Sequence, residues 1–192
     1  MVSIWYVLGA GASARSFAWL KTQLPPHVPR FYEYRPQAGL TAGIAGLRTA
    51  MADAPGLVIG HSLGGLIGAG VVEQPDCRGL VSLSAPFGGL SMAWFLALLR
   101  EDQMLRDLSP FNPLLRHLCQ GVLASGKPFL PIVATSGLNF LPGDNDGVVS
   151  VKSQTAIEGV TYHSIAVNHF ETLLAGEVAT LVSDFVRRID AK

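Results

Sequence analysis

The feature that most restricts how this chain can fold is the run Leu57-Val58-Ile59-Gly60-His61-Ser62-Leu63-Gly64-Gly65-Leu66-Ile67-Gly68. Branched apolar residues, the makings of a buried strand, lead into Gly60-His61-Ser62-Leu63-Gly64, and a helix-like stretch begins at once. This is Gly-x-Ser-x-Gly set between a strand and a helix. A serine held in so tight a turn is forced into strained backbone angles, and its hydroxyl projects clear of the sheet. Side chains two positions before and after it would strike neighbouring chain, so Gly60 and Gly64 carry none. The helix that follows aims its first N–H groups at any negative charge formed beside Ser62. Gly65 and Gly68 let that helix lie close to the sheet. The competing reading is a glycine-rich turn in which Ser62 is an ordinary N-cap. The strand-to-helix setting favours a nucleophile.

Such a turn needs a sheet around it, and the rest of the chain supplies strands. Short apolar runs occur at Ile4-Trp5-Tyr6-Val7-Leu8, Arg30-Phe31-Tyr32-Glu33-Tyr34, Gly79-Leu80-Val81-Ser82-Leu83-Ser84, Phe129 to Thr135 and Thr161 to Val167. Pro131 is tolerated in the fifth strand only where its missing N–H is not needed. Helical patterns fall between them: from Ala14 to Gln23, Ile44 to Ala52, Ser62 to about Glu73, Leu90 to about Gly121 with breaks at Pro110 and Pro113, and Phe170 to Ile189 with a break near Gly176. The alternation predicts an α/β protein with a mostly parallel sheet of about six strands and helices on both faces. Ligands of such sheets bind at the carboxyl ends of the strands. The chain has 192 residues and no repeat or linker. That predicts a single domain over 1–192, with residues 90–121 as a helical insert.

Composition narrows the class. The chain is 49% hydrophobic and 15% charged, which fits a compact protein with an apolar surface near a site. Fourteen basic residues balance fourteen acidic ones, so nothing points to a nucleic-acid partner. Cys77 and Cys119 read as buried thiols in a reducing, cytoplasmic setting rather than as a disulfide. No charged segment precedes Met1-Val2-Ser3-Ile4-Trp5, so the start reads as a core strand rather than a leader. No apolar run is long enough to span a bilayer, which leaves contact with a lipid interface as the one membrane association expected.

A serine hydroxyl is a poor nucleophile until a base takes its proton, and the base is usually a histidine oriented by a carboxylate. Of the five histidines, His169 in Val167-Asn168-His169-Phe170-Glu171 follows the last strand, where a loop can carry it over the sheet edge. His61 adjoins Ser62 and is assigned to packing; His27, His117 and His163 read as structural or surface groups. For the carboxylate, Gly143-Asp144-Asn145-Asp146-Gly147-Val148-Val149 follows the fifth strand. Asp146 is preferred to Asp144, with Glu33 and Glu171 weaker still. An Asx-type turn is the plain structural alternative for this segment.

Taken together, Gly60-His61-Ser62-Leu63-Gly64-Gly65, Ser84-Ala85-Pro86-Phe87-Gly88-Gly89, Asn145-Asp146-Gly147-Val148-Val149-Ser150 and Asn168-His169-Phe170 resemble a small α/β-hydrolase of the lipase/esterase kind. Bacterial triacylglycerol lipases and GPI-inositol-deacylase-like hydrolases are of this kind. The resemblance covers nearly the whole chain. It implies that Ser62 attacks an acyl carbonyl, that His169 shuttles the proton and that Asp146 orients His169. It also implies a small-molecule acyl ester as substrate, an acyl-enzyme intermediate and no cofactor. The oxyanion would be held by the N–H of Leu63 and by that of Ala10, in the loop after the first strand. Family members often carry His-Gly-x in that loop; this chain has Leu8-Gly9-Ala10. Related lipases hold a structural calcium through an acidic residue two beyond the catalytic histidine. Glu171 stands there in place of the usual aspartate, and one carboxylate does not predict a metal.

The insert admits two readings. Met92, Trp94, Phe95, Leu96, Leu98 and Leu99 make its start apolar nearly all round. As a lid it would line an acyl-chain pocket with Trp94 and Phe95; as a covering helix it would simply pack. A thioesterase or an acyltransferase would use the same three side chains. A different class is also on the page. Gly9-Ala10-Gly11-Ala12-Ser13-Ala14 matches the dinucleotide-binding pattern Gly-x-Gly-x-x-Ala, with Glu33 near the ribose-binding spacing. An oxidoreductase leaves Ser62, Asp146 and His169 without a purpose.

Overall fold

The computed structural model describes residues 1–90, 103–137 and 143–191. Its strands are β1 (Ser3–Val7), β2 (Val28–Tyr32), β3 (Gly56–His61), β4 (Cys77–Leu83), β5 (Phe129–Ala134) and β6 (His163–Ile165). They form one sheet in the order β2-β1-β3-β4-β5-β6, and every neighbouring pair is parallel. The helices are α1 (Ala18–Gln23), α2 (Gly39–Ala52), α3 (Leu63–Ala69), α4 (Gln103–Asp107), α5 (Pro113–Ala124), α6 (Val151–Gln154) and α7 (Gly176–Asp190). Among the described residues, no helix is long and apolar enough to cross a membrane.

The central strands read as nearly unbroken apolar runs because both faces of the sheet are covered there, while the border strands β2 and β6 are largely exposed. Alternate residues go to opposite sides. Trp5, Val7, Val58 and Leu80 pack with Leu40, Leu47, Leu66, Ile67 and Leu118 of α2, α3 and α5. Ile4, Tyr6, Ile59, Val81 and Ile132 pack with Leu20 of α1 and with Val182 and Phe185 of α7. Each fully buried side chain of this size contributes about 1.5–3 kcal/mol. Both thiols, Cys77 and Cys119, are unpaired.

The connection from β1 leads outward to β2. The chain then crosses back over β1 to β3 and proceeds the other way to β6. The direction of winding therefore reverses between β1 and β3, the switch point at whose crevice ligands of such sheets bind.

Element boundaries differ from expectation in instructive ways. The turn Ala14–Phe17 is a 3₁₀ helix and only Ala18–Gln23 is α-helical. Helix α3 stops at Ala69 rather than near Glu73, because the Gly70 N–H tightens onto both Leu66 and Ile67 carbonyls and the chain continues in turns. Strand β6 spans three residues rather than seven and pairs only with Ile132, Val133 and Ala134.

Two prolines sit in strands without breaking the ladder. Val28 N–H bonds inward to Val2 C=O at 3.0 Å, so the next nitrogen, that of Pro29, points away from the sheet. Leu80 and Ser84 N–H groups bond Pro128 and Ile132 carbonyls, so the even-numbered groups of β5 face β4. The nitrogen of Pro131 therefore faces β6, whose pairing starts one residue later, at Ile132 with His163. Neither position calls for an N–H.

Candidate active site

Ser62 stands at the β1/β3 crevice, between β3 and α3, at φ 54° and ψ −121°. A non-glycine residue in this region costs about 1–3 kcal/mol and persists only where its surroundings impose it. They do so here. A Cβ on Gly64 would lie 2.1 Å from Val7 O, and one on Gly60 would lie 2.3 Å from Gly64 O. Chain and sheet are therefore in contact on both sides of the serine. Ser62 is half-buried, and its hydroxyl caps no N–H of α3. The ordinary N-cap reading is overturned. The crossing loop from β1 is also in contact: a Cβ on Gly9 would lie 3.0 Å from His61 Nδ1 and 3.3 Å from Ser62 Cβ.

His169 and Asp146 are joined. His169 Nδ1 lies 2.7 Å from Asp146 Oδ2, and the His169 backbone N–H donates to the Asp146 carbonyl at 2.8 Å. An ionised carboxylate accepts but does not donate, so Nδ1 carries the proton and Nε2 presents its lone pair in the neutral ring. Asp146 is 1% exposed, and both its oxygens are saturated. Oδ1 accepts from the Val148 and Val149 N–H groups at 2.9 and 2.7 Å; Oδ2 accepts from His169 and, at 3.2 Å, from Gln154 Nε2. The turn that performs this is the Asp-Gly segment itself, docked on the end of β5 through a bridge between Ser136 and Asn145. Asp144 and Glu33 are exposed and take no part. Glu171 accepts from the Asn168 N–H at 3.0 Å and closes the local turn. No cluster of three metal-ligating side chains occurs among the described residues.

His61 brings the two halves together. Its Nε2 donates to the His169 carbonyl at 2.9 Å, and the two rings lie 4.7 Å apart. The bond fixes Nε2–H, which leaves buried Nδ1 as an acceptor with no partner. Burial, reinforced by the neighbouring His169, pushes the His61 pKa down to about 3, so this ring stays neutral. The assignment of His61 to packing alone was incomplete: it links the serine turn to the histidine loop. Ser62 Oγ itself makes no hydrogen bond to His169 among the described residues.

A second tie reaches the same loop from β4. Ser84, fully buried at φ 53°, bonds Thr172 Oγ1 at 3.0 Å, and Thr172 donates to the Asn168 carbonyl at 3.1 Å. The remaining histidines are dispersed. His27 bonds Tyr6 Oη and the Pro25 carbonyl, His163 is half-buried in β6, and His117 is exposed on α5. The N–H groups of Ala10 and Leu63 follow β1 and β3, the two strands that flank the crevice. Gly9-Ala10-Gly11 leads into a 3₁₀ turn rather than an α-helix N-terminus, and it packs against His61 and Ser62. Trp94 and Phe95 lie outside the described residues.

Six parallel strands, helices on both faces and a strained serine after the third strand define the α/β-hydrolase fold, and solved structures agree. The chain is similar to the lipase BlEst2 of Bacillus licheniformis over 98% of its own length and 91% of that chain, with TM-score 0.76 and 13% identity. It is similar to the lin2722 product of Listeria innocua over 98% and 94%, with TM-score 0.71 and 17% identity. A lipase-esterase related protein from Clostridium acetobutylicum gives TM-score 0.66 at 15% identity over 97% and 93%. No protein-family model and no curated protein sequence matches the chain.

Proposed function

We propose that this protein is a carboxylic ester hydrolase, one domain over its length, acting through an acyl-enzyme. Ser62 Oγ is the nucleophile. His169 Nε2 takes its proton as Oγ attacks the acyl carbonyl, and returns it to the leaving alcohol. Water then repeats the sequence in reverse and releases the acid. Asp146 holds the imidazole in the Nδ1–H tautomer and stabilises the imidazolium that forms. The N–H groups of Ala10 and Leu63 receive the oxyanion, the latter at the start of α3 where the helix end favours negative charge.

The observation that carries this reading is the strained Ser62, whose hydroxyl caps no N–H of α3, in a turn tied through His61 to the loop of a His169–Asp146 pair with every carboxylate lone pair in use. A serine–histidine bond that is long in the free enzyme and tightens with substrate is common in such sites. The lipase and lipase-esterase names of similar structures support ester hydrolysis. Phe170, exposed beside His169, supports contact with an apolar acyl group or a lipid surface.

The test is a panel of p-nitrophenyl esters and matching thioesters of increasing chain length, run on wild type and Ser62→Ala, with fluorophosphonate labelling of both. Ester turnover and labelling that vanish together in the variant support the proposal. Turnover that survives Ser62→Ala removes it.

A further inference from the structure

Strand β4 leaves the sheet at Ser84, whose positive φ turns the chain away after Leu83. The last β4-to-β5 bond is Ser84 N–H to Ile132 C=O, at 2.9 Å. By the alternation of β5, the next groups facing that side are the N–H and C=O of Ala134. No strand is left to meet them. Gln154 does so. Its Oε1 accepts from Ala134 N–H and its Nε2 donates to Ala134 C=O, each at 3.0 Å. The side-chain amide stands in for the missing peptide of β4.

That replacement fixes the amide completely. A carboxamide has one acceptor oxygen and two N–H donors. With one N–H on Ala134, the other points to Asp146 Oδ2 at 3.2 Å and to Val149 C=O at 3.3 Å. Rotating the amide by half a turn would set its oxygen against the Ala134 carbonyl and the Asp146 carboxylate together. Gln154 is 2% exposed, so water cannot compensate such an error. Helix α6 is pinned in turn: Ser153 C=O accepts from Gly88 N–H at 2.9 Å, and Val151 N–H donates to Asp144 C=O at 2.8 Å.

We propose that Gln154 is a positioning residue for the Asp146–His169 pair, using the open end of β5 as its reference frame to aim Asp146 Oδ2 at His169 Nδ1. This rests on the hydrolase reading above only for its consequence in catalysis. Oδ2 has two lone-pair directions; Gln154 occupies one and leaves the other for the imidazole. Without that donor the carboxylate can rotate about its Cβ–Cγ bond until held by Val148 and Val149 alone.

Two variants test it. Gln154→Met keeps the length of the side chain and removes every hydrogen bond. Gln154→Leu likewise has neither donor nor acceptor and a more compact side chain, so it serves if the methionine variant does not fold. We expect each to lower kcat about tenfold to a hundredfold with KM within about twofold, the range known for the outer hydrogen-bond partners of metal-ligating side chains. The low-field proton resonance of His169 Nδ1–H, read in the same samples, should broaden or disappear. Wild-type kcat in either folded variant overturns the inference. A lowered kcat with an unchanged resonance also overturns it, since the amide would then act elsewhere. If Ser62→Ala keeps turnover, the hydrolase reading falls by itself, and the His169 resonance still decides whether Gln154 holds the pair.

Discussion

Ser62 and Ser84 end adjacent strands at the same edge of the sheet, and both hold φ near +54°, at 54° and 53°. Ser62 N–H even bonds the carbonyl of Leu83, the residue before Ser84, at 2.8 Å. Their side chains live differently. Ser84 Oγ is buried and bonded to Thr172, whereas Ser62 is half-buried and its Oγ caps no N–H of α3. Strain therefore marks where a strand must leave the sheet abruptly, and it does not by itself make a nucleophile.

Activity should separate the two serines most sharply. Ser62→Ala is expected to lower kcat for a p-nitrophenyl ester at least about 10³-fold, while Ser84→Ala keeps it within about tenfold. Similar losses in both would erase the distinction drawn here. Asp146→Asn should cost about 10²- to 10⁴-fold by favouring the wrong His169 tautomer. Fluorophosphonate labelling kinetics would read that loss directly.

Stability against pH probes the link between the serine turn and the histidine loop. The folded pKa of His61 is depressed to about 3 from 6.5, so below pH 6.5 the unfolded chain binds a proton that the folded chain refuses. Stability from this group is thus full above pH 6.5 and falls between pH 6.5 and about 3, by up to about 1.4 kcal/mol per pH unit. Denaturant melts of His61→Gln against wild type should show the slope flattened in the variant. Parallel curves would count against a neutral, buried His61.

The smallest effects are those of strain. Ser84→Ala should lose about 1 kcal/mol with its Thr172 bond, seen as a Tm lower by a few degrees. Ser62→Gly, which relaxes a positive φ, should gain about 1 kcal/mol while abolishing turnover. A destabilised Ser62→Gly would show that the turn is not strained.

The parallel sheet was legible because strands buried on both faces announce themselves as short apolar runs between glycines and prolines; its strand order was not. Ser62, Asp146 and His169 stand out in the sequence as candidates because each lies beyond such a run. What escaped was whatever depends on a partner far away in sequence. Gln154 lies in Val151-Lys152-Ser153-Gln154, which reads as a solvated turn until β4 is seen to desert Ala134. His61 looked like packing because its acceptor is the carbonyl of a residue 108 positions on. The strain at Ser84 has no sequence mark, since neither flanking residue is glycine. Strand β6 is shorter than the run Thr161 to Val167 because its ladder with β5 begins only at Ile132, after Pro131, and β5 itself ends at Ala134.

The placement of Pro29 and Pro131 reaches beyond the fold of one chain. The border strands of an open sheet are templates on which a foreign strand can grow, and such growth begins many aggregates. On one border Pro29 deletes an outward donor at the second position of a five-residue strand. On the other, β6 offers only three residues, and Pro131 denies it any extension backwards along β5. Neither rim offers an intruder an unbroken row of hydrogen bonds, so this route to fibrous association is obstructed at both ends.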